Sequence, residues 1–233
     1  MDSTVLALVG ASWIVLPGAH PPAVVETSVQ VIEANGSRAV LEWPLLMGEE
    51  GDMAVGAMNE ALSWEAVTGE SMEETVEVFS RMQGGHTGSD FTVNHNAGGI
   101  LDITLRLEFL GAYPSTGHRH FCFDVSTGRS VRFSELLRPG GRETLAGVLD
   151  SMLWVNIAIE AADSLLDPEM YEGHGFGVEN LESFSITENG VWFHYEFGFP
   201  HAVMAAEPDG ELFVPAGRLV PLLFDEYVGG TAR

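Results

Sequence analysis

An α+β fold is predicted, in which antiparallel sheets of meander and hairpin strands pack against a few helices. Two patterns predict it. In several short segments apolar and polar residues alternate one for one between Gly, Asn and Pro turns, and in three longer ones apolar residues recur every three to four positions. Segments of the two kinds come in groups, without the regular strand-helix-strand rhythm that a parallel sheet requires.

Val29 and Val31 alternate with polar neighbours, Ala34-Asn35-Gly36-Ser37 supplies an Asn-Gly turn, and Ala39 to Trp43 runs apolar into Pro44. The first element is therefore a hairpin ended by proline. Asp52 can cap a helix on which Val55, Met58, Leu62 and Ala66 share a face, and Ser71-Met72-Glu73-Glu74 is a capping box that opens a second, with Met72, Val76, Phe79 and Met82 as its stripe. Phe91, Val93 and His95 share one face of a strand, and Asn96-Ala97-Gly98-Gly99 turns the chain. On the return strand Leu101, Ile103, Leu105, Leu107 and Phe109 line the inner face, so Asp102, Thr104, Arg106 and Glu108 should be solvated. His118 to Val125 forms a third strand, Val131 to Phe133 continues the meander, and Ser134 can cap a short turn over 135–137.

Leu145, Val148, Met152, Val155, Ile159 and Ala162 mark the longest helix, about 142–166, as the main amphipathic cover of the sheet. Asp167 to Asn180 is glycine-rich and reads as a loop. Phe184 to Thr187, the Asn189-Gly190 turn and Val191 to Phe197 make a second hairpin, and Leu212 to Val214 a last strand before Pro215 and a short helix over Leu219 to Phe224. By organisation, 1–24 is a degenerate leader or an N-terminal segment, 25–117 an N-terminal half, and 118–228 a C-terminal half packed with it as one body. The apolar run Thr4 to Leu16 has 13 residues and stops at Pro17, short of the roughly 20 a membrane span needs, so no transmembrane anchor is expected.

Charge narrows the function. The chain has 233 residues with 34 Asp and Glu against 10 basic residues, a net charge of −24, and a pI near 4.4. Nucleic acid is excluded as a partner, because phosphate binding needs clustered cations. Every basic residue is an arginine, which excludes Schiff-base, lysine-base and phosphate-loop lysine chemistry. Cys122 stands alone, so there is no internal disulfide and no multi-cysteine zinc site. No Gly-x-Ser-x-Gly occurs, and Cys122 on a strand lacks the helix N-terminus that activates a thiol. No catalytic residue and no cofactor is assigned.

Two constellations remain. His118, His120, Cys122 and Asp124 alternate on one strand face, where the His-x-His pair could share a metal if His194, Glu196 or His201 arrived as a third ligand. Trp192, His194 and Glu196 share a face of the second hairpin, and His174-Gly175-Phe176-Gly177 reads as a loop tip. These five residues, His174, Phe176, Trp192, His194 and Glu196, are the candidates for partner contact.

Phe121-Cys122-Phe123-Asp124-Val125-Ser126-Thr127-Gly128-Arg129 with Val131-Arg132-Phe133-Ser134-Glu135-Leu136-Leu137 resembles the "FDLxTGKxLTLxDLF" opening of a bacterial extracytoplasmic domain family of unknown function. Phe184 to Tyr195, Pro200 to Ala206 and Leu212-Phe213-Val214-Pro215 resemble its closing segments. Glu42-Trp43-Pro44-Leu45-Leu46-Met47-Gly48 and Gly111-Ala112-Tyr113-Pro114 resemble the partner domain that precedes it. That family includes the ectodomain of the lysozyme-sensing anti-sigma-V factor and the region before the catalytic domain of some peptidoglycan deacetylases. The resemblance implies a secreted, periplasmic or cell-envelope binding and sensing module without enzymatic activity, for a basic protein such as lysozyme or for a cell-wall glycan. Two alternatives stand beside it: a metal-dependent hydrolase built on His118 and His120, and a structural domain with a salt-adapted acidic surface.

Overall fold

The computed structural model describes residues 12–18, 21–82, 84–163, 168–200 and 206–229. The fold is α+β, as the patterns predict. The chain divides into two units, Met1–Val131 and Arg132–Arg233.

In the first unit a five-stranded sheet has the order β1 (Val24–Ala34), β2 (Ser37–Met47), β3 (Gly85–Ala97), β4 (Ile100–Leu110), β5 (Pro114–Asp124). The first hairpin turns on Asn35 and Gly36, both with positive φ (52° and 81°), and pairs in register from Ala34 opposite Ser37 out to Val24 opposite Met47. Pro44 does not end it. Asn59 hydrogen-bonds both the N–H and the C=O of Leu46, 2.9 Å each, on the edge away from β1. Pro44, two residues earlier, turns its nitrogen to that same edge and loses no ladder bond. The sheet is also mixed: β2 and β3 run parallel through Val40 opposite Gly88 and Leu41 opposite Ser89. A parallel pair needs a long crossover, which the intervening helices provide.

Those helices number three among the described residues before β3. Asp52 caps α1 (Met53–Ala61), accepting from Ala54 N at 2.9 Å and Val55 N at 3.2 Å. The expected continuous stripe through Leu62 and Ala66 breaks there, because Ser63 caps a separate α2 (Trp64–Thr68) that ends on left-handed Gly69. The capping box opens α3 (Met72–Met82), with Glu74 N on Ser71 Oγ at 3.2 Å and Ser71 N on Glu74 Oε2 at 2.8 Å; the side chain of Met82 lies outside the described residues. One face of the sheet buries Leu101, Ile103 and Leu105 with Met58, Leu62 and Phe123, and a neighbouring cluster joins Leu41, Trp64, Phe79 and Leu107. Each such side chain contributes about 1.5–3 kcal/mol.

His86, flanked by Trp64 and Phe109 at 5.0 and 5.3 Å between ring centres, has a buried Nδ1 without a hydrogen-bond partner. Burial lowers its pKa below 6.5, against the opposing charge of Glu70. The folded protein therefore holds His86 neutral, and its contribution to stability is present above pH 6.5 and is lost as pH falls from there through the folded pKa. The melting-temperature loss between about pH 7.5 and pH 5.5 is expected to be smaller in His86→Phe than in the parent. Equal losses would show that His86 titrates alike in both states.

Other expectations are corrected. A bulge between Val93 and His95 puts His95 opposite Asp102, on the face away from Phe91 and Val93. Asp102 is fully buried and not solvated. Val131 to Phe133 adds no strand; a single bridge joins Ser130 to Phe123, and Phe133 opens a short helix, α4 (Phe133–Leu136). Ser134 is buried inside that helix and caps nothing; the residue at the cap is Arg132, whose side chain makes no capping bond.

In the second unit α4 precedes α5 (Gly141–Asp163), then β6 (Phe184–Thr187), β7 (Gly190–His194), β8 (Glu211–Pro215) and α6 (Ala216–Leu219). The three strands form an antiparallel sheet in that order. The helix predicted at 142–166 starts at Gly141 and is described to Asp163; 164–167 lie outside the described residues. The expected loop contains two 3-10 turns, Pro168–Tyr171 and Val178–Glu182. β7 stops at His194 and not at Phe197. The predicted Leu219 to Phe224 helix is instead α6 followed by a 3-10 turn, Val220–Leu222. Leu149, Leu153, Phe133, Phe193, Ile186 and Val191 form the core with at most 0% exposure each. Gly141–Ala162 is long and apolar enough to cross a membrane, yet one side of it is packed into this core.

Candidate functional site

In the first unit the register places His118 opposite Arg106, His120 opposite Thr104 and Cys122 opposite Asp102, all on the sheet face turned away from the helices. Exposure falls along β5: His118 is exposed, His120 half-buried and Cys122 buried. Asp102 accepts a 2.7 Å hydrogen bond from Asn94, which also donates to Thr104 at 2.7 Å, and Thr104 meets His120 Nδ1 at 3.0 Å. The region of Ser12 closes one end, with Ser12 Oγ 3.1 Å from His95 Nε2 and Ile14 fully buried. Arg106 bridges Asp90 at 2.9 Å and Glu108 at 2.6 Å.

Burial first, then the charge and hydrogen bond of Asp102, push the Cys122 thiol well above its usual range, the opposite of an activated nucleophile. Burial raises the Asp124 carboxyl, but hydrogen bonds from Ser126 and Thr127 outweigh it and leave the group below the ordinary value, where it fastens the turn after β5. His118 and His120 stack with ring centres 6.5 Å apart. Among the described residues no group of three or more His, Cys, Asp or Glu is arranged to hold a metal. His201 lies outside the described residues.

In the second unit the three-stranded sheet buries Val191, Phe193, Ile186, Leu212 and Val214 and turns Trp192, His194, Phe213 and Glu211 the other way. Trp192 and Phe213 pair across the strands with centroids 4.9 Å apart, and Trp192 stays 37% exposed. His194 sits between Glu211 Oε1, 2.9 Å from Nδ1, and Ser185 Oγ, 3.0 Å from Nε2. Its carboxylate partner is thus Glu211 and not Glu196, which is exposed beyond the end of β7. Glu188 and Asp209 are exposed near the strand ends. The face joins a tilted aromatic pair, with 43° between the ring planes, to the Glu211 carboxylate held by His194.

The segment read as a loop tip folds inward. His174 Nδ1 is 3.2 Å from the Tyr195 hydroxyl, and its ring lies among Tyr195, Phe197 and Phe199. Phe176 is buried, and its N–H donates to Asp150 Oδ1 of α5 at 2.9 Å. Phe176 is thus withdrawn from the surface and His174 is half-buried. The sequence reading missed Phe213, since Leu212-Phe213-Val214 has no polar alternation to show which side faces out.

No family model matches the chain, and no curated protein matches it. Solved structures that share its fold include two from one family. A DUF3298 family protein from Pseudomonas aeruginosa PAO1 superposes with a TM-score of 0.59 at 14% identity, covering 91% of this chain and 98% of its own. A member of the same family from Bacteroides fragilis NCTC 9343 gives 0.52 at 13% identity, covering 88% and 94%. At such identities the likeness concerns the fold alone.

Proposed function

We propose that the chain is a non-enzymatic, extracytoplasmic binding or sensing module whose ligand is a basic protein of the lysozyme kind or a cell-wall component. The observation that carries this reading is exposed Trp192, paired with half-buried Phe213 on the sheet face that also carries Glu211. Aromatic faces and carboxylates together suit arginine and lysine side chains, through cation–π contacts of about 0.5–2 kcal/mol and ion pairs at the rim. The wider field works in the same direction: each unit holds seventeen acids against five arginines. A negative field of that density speeds the approach of a basic protein. Animal-type lysozymes are basic, and the sequence resemblance to the ectodomain of the lysozyme-sensing anti-sigma-V factor supports the same class of partner.

The test is calorimetric titration of the full chain with an animal-type lysozyme and, separately, with a cell-wall fraction, at low and moderate salt. Binding that weakens with salt is expected, and Trp192→Ala should weaken it by about tenfold or more. No affinity for either probe at either salt concentration sinks the proposal.

A further inference from the structure

Between one flank of α5 and the segment from β8 through α6 runs a groove of about 800 Å³, a size typical of small-molecule sites. Val148, Met152 and Val155 of the helix, Val214 of β8 and Leu222 after α6 give it apolar walls. Three of its four polar residues commit their side-chain donors to the main chain. Thr144 Oγ1 donates to Gly140 O and Ser151 Oγ to Gly147 O, 2.8 Å each, and Asn156 Nδ2 donates to Asp209 O at 2.7 Å. The fourth is Arg218, an exposed residue of α6.

Arg218 differs from the other described arginines of its unit. Arg132 pairs with Glu182 at 3.9 Å, Arg138 with Asp225, and Arg142 Nε donates to Ser134 O at 2.7 Å, whereas Arg218 has no side-chain partner among the described residues. In a unit with seventeen acids the groove lining holds no carboxylate, so nothing there neutralises the guanidinium. An apolar channel with a single uncompensated cation is complementary to an apolar chain with an anionic head, and the planar guanidinium suits a carboxylate through two parallel hydrogen bonds. The placement of the ends agrees. Leu222 abuts Gly141, so the segment 218–222 lies beside the first turns of α5, and the Asn156–Asp209 bond marks the other end. From Thr144 to Val155 the helix advances about 16 Å, enough for one extended acyl chain. We propose that the groove binds a single-chain carboxylate amphiphile, its head on Arg218 and its chain along Val148, Met152 and Val155. This ligand is separate from the basic partner proposed above, because Trp192 and Phe213 occupy the opposite face of the sheet from Val214.

Calorimetric titration of the full chain with dodecanoate, kept below its micelle concentration, is expected to show one site per chain. Dodecyltrimethylammonium, the same chain with a cationic head, should bind at least about tenfold more weakly, although a net charge of −24 favours a cation. Arg218→Gln should weaken dodecanoate by about tenfold and leave the neutral dodecanol within about twofold. Gly147→Leu, where an added Cβ meets nothing within 4 Å, should fill the groove and abolish uptake of both, with a melting temperature no lower than the parent's, since leucine favours the helix over glycine. Neither variant should alter the titration with lysozyme. A chain that takes up no dodecanoate overturns the proposal, as does one that binds the ammonium amphiphile equally well or binds dodecanoate unchanged in either variant. Binding to phosphatidylglycerol vesicles without uptake of free dodecanoate also overturns it, in favour of a membrane surface.

Discussion

Replacing Phe133 by alanine is expected to destabilise the second unit by about 3–5 kcal/mol, the largest effect of any single truncation considered for it. The ring is fully buried and stands 5.1 Å from both Phe184 and Phe193, tilted against one and edge-on to the other. It joins α4 to the first and second strands of the three-stranded sheet, and its backbone N–H is held by Glu182 at 3.0 Å. Removing it leaves a cavity walled by rigid aromatics that cannot collapse to fill it. Phe224, 37% exposed, serves as the internal contrast, because Phe224→Ala should stay within roughly 1 kcal/mol of the parent. Urea midpoints at unchanged slope measure both. Indistinguishable midpoints for the two variants would show that Phe133 is not the keystone described.

Asp102→Ala is expected to cost about 2–4 kcal/mol. The carboxylate lies at 0% exposure, accepts the Asn94 amide at 2.7 Å, and takes the hydrogen bond of the Cys122 thiol. Alanine would leave the Cys122 thiol and one N–H of Asn94 without this acceptor at a buried position, and a buried donor without an acceptor costs more than its hydrogen bond contributed. Asp102→Asn, which keeps the shape and one acceptor, should cost less. The thiol gives a second readout: losing Asp102 removes the smaller causes of its raised pKa, but burial remains, so Cys122 should stay slow to react with maleimide until the unit unfolds. An alanine variant within about 0.5 kcal/mol of the parent would mean that Asp102 behaves as a solvated surface residue.

That residue shows where reading along the chain stops. Leu101 to Glu108 alternates cleanly, and alternation states which residues share a face. It does not state what lies over that face. Near Asp102 the described N-terminal stretch and the bulged end of β3 close it, whereas Arg106 and Glu108, four and six residues further on, keep side-chain exposures of 40%. Pro44 teaches the same lesson in reverse. A proline in a run of apolar residues reads as a stop, and only the position of Asn59 shows that its edge carries no ladder bond to lose.

Local chemistry was legible because its partners are neighbours in sequence. Asp52, the Ser71–Glu74 box, the Asn35-Gly36 and Gly98-Gly99 turns and the α+β class all follow from side chains that bond backbone within a few residues, or from periodicity along one element. The acidity and the absence of lysine are likewise properties of composition, and they set the kind of partner the surface can attract. What only the tertiary structure decided was every relation between distant segments: the parallel pairing of β2 with β3, the inward fold of His174 and Phe176, the pairing of Trp192 with Phe213, and which side of α5 stays exposed. Periodicity fixes a side chain's direction from its own backbone, while burial depends on which distant segment arrives to cover it.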